Sequence, residues 1–161
     1  VTARTAPLPR EEVPGRRDEL IALCAQAFGG APWHDPPRGA VRTADRLVAS
    51  AARRADFRAV AALGPDGALR GLAAGWTDTA LSGAGPAFEL AELAVVPAHQ
   101  GRGLGRALHD ALLAAAPAGP AFLMTLDVPE LTGRYARWGW TVADRRRPDG
   151  DDRAYVLMRR P

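Results

Sequence analysis

The chain has 161 residues, 47% hydrophobic and 24% charged, with a formal net charge of +3. That length buries a core without disulfides or a structural metal, and the composition is too apolar for disorder. A single cysteine, Cys24, excludes an internal disulfide and a cysteine-rich zinc site, and no apolar run approaches membrane-spanning length.

All 21 basic residues are arginine; lysine and asparagine are absent, and Ile21 is the only isoleucine. Those three residues have A/T-rich codons, so the bias points to a high-GC bacterial source. It also explains part of the pI of about 9.9, since arginine does not deprotonate. No apolar segment of signal-peptide type follows Val1–Arg4, and the expected location is cytoplasmic. Histidine occurs only as His34, His99 and His109, without an HExxH pattern, so no metal is expected.

In chain order, Val1–Ala6 reads as a first edge strand. Residues 16–28 place Leu20, Leu23, Cys24, Ala27 and Phe28 at helical spacing, and Gly29-Gly30 ends that helix. Three prolines around Trp33, His34 and Asp35 make 31–38 a loop. Thr43 is the expected cap of a second helix carrying Ala44, Leu47, Val48 and Ala51 on one face. Residues 57–63 and 68–77 form a hairpin across Gly64-Pro65-Asp66-Gly67. An apolar strand over 88–96 contains Glu89 and Glu92 and stops at Pro97. A helix over 102–116 has an apolar stripe of Leu104, Ala107, Leu108, Ala111, Leu112 and Ala115; His109 falls on its polar side. A strand over 121–128, a short helix over 130–138 closed by Gly139, and a final hairpin (140–145 with 153–159) complete one mixed α/β domain over 1–161.

The main chemical signal is Gln100-Gly101-Arg102-Gly103-Leu104-Gly105-Arg106, between an apolar strand and an amphipathic helix. A helix start offers unpaired N–H groups and partial positive charge. Glycines let an anion approach those groups, and Arg102 and Arg106 add full charge. The expectation is a diphosphate site. Arg106 stands where a GxGxxG dinucleotide fingerprint needs glycine, and the Lys-Ser/Thr of a P-loop is absent. No aromatic residues interleave the arginines, so nucleic acid is not the expected partner.

Gln100, Gly103 and Gly105 match Gln/Arg-x-x-Gly-x-Gly/Ala, and here the sequence resembles the GNAT superfamily of acyl-CoA N-acyltransferases. The strand from Glu89 to Val96 is similar to the family's fourth strand. Tyr135-Ala-Arg-Trp-Gly139-Trp140 is similar to its Tyr-x-x-x-Gly-Phe, with Trp for Phe. The resemblance covers about residues 57–160. It implies a central, mostly antiparallel sheet of six or seven strands flanked by about four helices. It also implies acetyl-CoA as acyl donor. The pantetheine arm would lie along Leu93, Ala94 and Val95, and the pyrophosphate on Gly101–Arg106. An asparagine that the family often has seven residues before the tyrosine is replaced by Val128. Dimers are frequent in the family, so a homodimer is among the expectations.

Acyl transfer needs a neutral amine, donors for the oxyanion, and an acid for the departing thiolate. Glu89 and Glu92, on an apolar strand, are the candidate bases, acting directly or through water. Period-two alternation puts them on opposite faces, and Glu89, eleven residues before Gln100, is favoured. Either carboxylate could instead be solvated or pair with an arginine. The Leu93 N–H is the expected oxyanion donor, with Val95 in reserve. Tyr135 is the expected acid, in the position implied by Gly139 and Trp140. Phe28, Trp33, His34 and Trp76 are candidates to line a pocket for a small-molecule or peptide amine. Asp149, Asp151 and Asp152 form an acidic loop. A member of the family that binds acyl-CoA without catalysing transfer is the alternative to an enzyme.

Overall fold

A computed structural model describes residues 3–161. Strand β1 (Arg4–Pro7) is followed by two short 3-10 turns and α1 (Arg17–Phe28), then α2 (Pro37–Arg53). Strands β2 (Arg58–Leu63), β3 (Leu69–Asp78) and β4 (Ala87–Val95) precede α3 (Leu104–Ala115). The chain closes with β5 (Ala121–Leu126), α4 (Pro129–Arg137), β6 (Thr141–Arg146) and β7 (Tyr155–Arg160). The first strand is present; the Val1 and Thr2 part of that expectation lies outside the described residues.

The strands form one seven-stranded sheet in the order β1-β2-β3-β4-β5-β7-β6. β1–β2, β2–β3, β5–β7 and β6–β7 pair antiparallel. β4 and β5 pair parallel, with Phe88 opposite Ala121 and Glu89 opposite Phe122. A parallel pair needs a crossover, and α3 supplies it.

The chain divides into two compact units. The first takes in Val1–Trp76 and Glu92–Ala116. Its core includes Leu20 and Leu23 of α1, Leu47 of α2, and Leu108 and Leu112 of α3. Helix α3 approaches β3 so closely that a Cβ on Gly71 would lie 2.8 Å from Leu108 Cδ1 and 3.0 Å from the Ala94 carbonyl oxygen. The second unit takes in Thr77–Ala91 and Pro117–Pro161. Leu123, Trp140, Val156 and Met158 are buried there, whereas β6 is exposed along nearly its whole length. Among the described residues, no helix is long and apolar enough to cross a membrane.

Three local expectations are corrected. Helix α2 begins at Pro37, two turns before Thr43. Proline needs no N–H at a first helical position and brings the right φ, so Pro37 starts the helix where Thr43 was expected to cap it. Helix α3 begins at Leu104 rather than 102, because Gly103 has φ +81° and Gly101 φ +72°. His109 is fully buried instead of solvated, and its Nδ1 lies 2.7 Å from Asp110 Oδ1.

Candidate functional site

The first unit carries the glycine turn. Gln100 donates from Nε2 to the Val95 carbonyl oxygen at 2.9 Å, tying the turn to the end of β4. Gly101 and Gly103 then hold left-handed conformations, and a Cβ on either would meet no atom within 4 Å. The cradle is open. The ladder of α3 starts with the Ala107 N–H, which donates to Gly103 O at 3.0 Å. The amides of Leu104, Gly105 and Arg106 therefore have no acceptor below them in the helix, and they fit a diphosphate. Arg102 is exposed beside them. Arg106 Nε donates to both Asp110 carboxylate oxygens, at 2.9 and 2.8 Å. Burial alone would raise the Asp110 carboxyl, but bonds from Arg106 and His109 hold it below the usual range.

Strand β4 leads into this turn. Its residues alternate buried and half-exposed through Leu90, but Ala91, Glu92 and Leu93 are all half-exposed. Glu92 Oε2 accepts from Arg46 Nη2 of α2 at 3.2 Å; its side chain is 14% exposed and that of Arg46 50%. Cys24 of α1 lies within reach of these charges. Burial first, then the Glu92 charge, pushes its thiol up to about 12, while Arg46 acts in the opposite sense. Ala94 and Val95 are buried.

Arg46 has a second contact, 5.7 Å from the Trp76 ring centroid, and Arg54 lies 5.2 Å from the same centroid. Trp76 is buried and stacks on Phe57, with centroids 6.1 Å apart. Its Nε1 has no hydrogen-bond partner among the described residues. Phe28 and Trp33 pack edge to face between α1 and α2, with centroids 5.5 Å apart. His34 is exposed in the same loop at φ 49°, its N–H donating to Gly30 O. Of the four residues expected to line an acceptor pocket, Phe28 and Trp33 touch each other and Trp76 packs on the sheet.

The second unit holds Glu89 and Tyr135. Glu89 is half-buried in the parallel register. Tyr135 is buried in α4, edge-on to Trp138 and Trp140 at 5.6 and 6.3 Å. The turn after α4 returns through Trp138 and Trp140 N–H groups, both donating to the Tyr135 carbonyl oxygen. Val128 is the residue before α4, and its carbonyl accepts from Thr132 Oγ1. The acidic loop is internally engaged: Asp151 accepts from Arg153 and from Tyr155 Oη, and these bonds hold its carboxyl well below the usual range.

Sequence reasoning missed Arg46, Arg54 and Asp110. Asp110 stands four residues after Arg106, a helical pairing visible in the sequence. Nothing in the sequence pairs Arg46 with a residue 46 positions away. Among the described residues, no group of three or more His, Cys, Asp or Glu is placed to hold a metal ion.

A family model described as the acetyltransferase (GNAT) family matches residues 19–133. No curated protein matches the sequence. Among solved structures, the chain is similar to a histone acetyltransferase HPA2 and related acetyltransferase from Corynebacterium glutamicum. The TM-score is 0.73 at 17% identity, over 100% of this chain and 97% of that one. A GCN5-related N-acetyltransferase from Rhodopseudomonas palustris matches with TM-score 0.67 at 21% identity, covering 99% and 96%. A PaiA N-acetyltransferase from Thermoplasma acidophilum, in complex with coenzyme A, matches with TM-score 0.67 at 16% identity, covering 99% of each chain.

Proposed function

The chain belongs to the GNAT acetyltransferase family, and from that membership we propose that it is an acyl-CoA-dependent N-acyltransferase, a single functional domain over 1–161. It transfers acetyl from acetyl-CoA to a primary amine by direct attack in a ternary complex. The observation that carries this reading is the open glycine turn: Gly101 and Gly103 at positive φ, with the amides of Leu104, Gly105 and Arg106 at the mouth of α3.

Acetyl-CoA supplies an activated thioester carbonyl when bound. The amides of residues 101–106, with Arg102 and Arg106, hold its pyrophosphate. Gln100 keeps the turn in place through Val95. The backbone of Leu93, Ala94 and Val95 holds the pantetheine arm, and the Leu93 N–H donates to the oxyanion, with Val95 in reserve. Glu89 takes the proton from the attacking amine, directly or through water. It is preferred to Glu92 for its place eleven residues before Gln100. As the C–N bond forms and the C–S bond breaks, the Tyr135 phenol protonates the departing thiolate. The Pro-rich segment with Phe28, Trp33 and His34 borders the acceptor; Trp76 takes part through the arginines over its ring.

The test is thermal unfolding and calorimetric titration with acetyl-CoA, followed by a panel of primary amines assayed for free-thiol release. A ligand at a hundred times its Kd adds about 2.7 kcal/mol of stability, so a clear rise in Tm is expected. No rise and no heat of binding would overturn the reading. Binding without transfer to any amine would make the chain an inactive acyl-CoA-binding member of the family.

A further inference from the structure

Four side chains of the first unit converge beside the strand that carries Leu93. Glu92 and Arg46 form an ion pair at 3.2 Å, and Arg46 and Arg54 lie 5.7 and 5.2 Å from the Trp76 ring centroid. Arg46 is on α2, and Arg54 is the extended residue that follows its last turn; Ser50, four residues from each, is buried. Both guanidiniums lie over the one Trp76 ring. Glu92 immediately precedes Leu93, so its carboxylate and the proposed oxyanion donor sit on consecutive residues. Asp35 is a second carboxylate acting on the same buried Cys24 thiol as Glu92.

A lone amine would find one attractive group here and two guanidiniums that repel its protonated form. A zwitterion with ammonium and carboxylate one carbon apart matches the pair in sign and in spacing. The ammonium takes Glu92; the carboxylate takes Arg46, and Arg54 beside it, with charge-assisted bonds of the strong kind. We infer that the acceptor is an α-amino acid or a short peptide-like amine bearing a carboxylate close to the reacting nitrogen. The selectivity rests on Arg46 and Arg54, with Glu92 receiving the ammonium. This rests on the acyltransferase reading and names its substrate class.

The experiment assays matched triplets with acetyl-CoA: an α-amino acid, its carboxamide, and the decarboxylated amine (alanine, alaninamide and ethylamine; then phenylalanine and its two counterparts). The acid is expected to exceed both neutralised forms in kcat/KM by roughly tenfold or more, the usual scale for an ionic contact made in one substrate and missing in the other. In Arg46→Gln and Arg54→Gln that ratio falls toward one, and Arg46→Lys, which keeps the charge, retains most of it. Where no member of a triplet is turned over, calorimetric titration of the CoA-saturated protein with the same compounds decides. Tighter binding of the acid supports the inference; equal binding or none overturns it. Equal use of acid and amine, or a ratio untouched by Arg46→Gln, also overturns it. These outcomes are distinct from failure of acetyl-CoA to bind, which overturns the parent reading instead.

Discussion

At the scale of single residues, the glycine turn depends on backbone conformation and on empty space. Gly103 has φ +81° and open surroundings, so an alanine there meets no clash and is opposed only by its own backbone preference. Left-handed backbone costs an L-residue about 1–2 kcal/mol, and a stiffer unfolded chain returns about 0.4–1. Gly103→Ala should lower stability by about 1 kcal/mol in urea unfolding, and should weaken acetyl-CoA binding in a titration. Tyr135 makes a different kind of prediction. Its ring packs edge-on between Trp138 and Trp140, and Tyr135→Phe keeps that packing. Stability should change by no more than about 1 kcal/mol. Turnover should fall by on the order of a hundredfold if the phenol is the acid, with the Kd for acetyl-CoA retained. Unchanged turnover would remove Tyr135 from the mechanism.

Elements act through how closely they approach. The contact of α3 with β3 exists because residue 71 has no side chain. Gly71→Ala would drive a methyl against Leu108 Cδ1, which can move, and against the Ala94 carbonyl, which belongs to β4 and cannot move without its strand. The expected loss is about 1–3 kcal/mol, typical of overpacking, read as a lower urea midpoint. The same change should weaken acetyl-CoA binding, because Ala94 lies on the strand assigned to the pantetheine arm. Helix α2 contributes through its inward edge. Ala40, Ala44, Leu47 and Ala51 are buried, and Arg46, one residue before Leu47, reaches Glu92. Helix α3 similarly joins two tasks, since Leu108, His109 and Leu112 are buried while Leu104–Arg106 present amides at its mouth.

At the scale of the whole molecule, the buried thiol links global stability to pH. The Cys24 thiol is raised in the fold from its ordinary 9.0 to about 12, chiefly by burial. The unfolded chain therefore releases this proton near pH 9 while the folded chain keeps it. The stabilisation is complete below about pH 9 and is lost as pH rises from there toward about 12. Wild type should lose up to about 1.4 kcal/mol per pH unit in that window beyond what Cys24→Ala loses. Urea midpoints of the two proteins across pH 8–11 provide the check, and parallel curves would reject it. A disulfide reagent at pH 8 should likewise label this single cysteine only as the protein unfolds.

The sequence by itself determined the elements and the open glycine turn, because both are written locally. The three-to-four spacing of Leu104, Leu108 and Leu112 requires a helix whatever lies around it. Glycines just before a helix start leave its amides uncovered without reference to any distant residue. Gln100, Gly103 and Gly105 were thus legible, as were the two hairpins. The tertiary structure decided what depends on residues far apart in the chain. Arg46 meets Glu92 only because folding brings together residues 46 positions apart; His109 is buried although its helical position looks polar. Ion pairs and burial are set by neighbours that folding supplies, and a linear pattern holds no record of them.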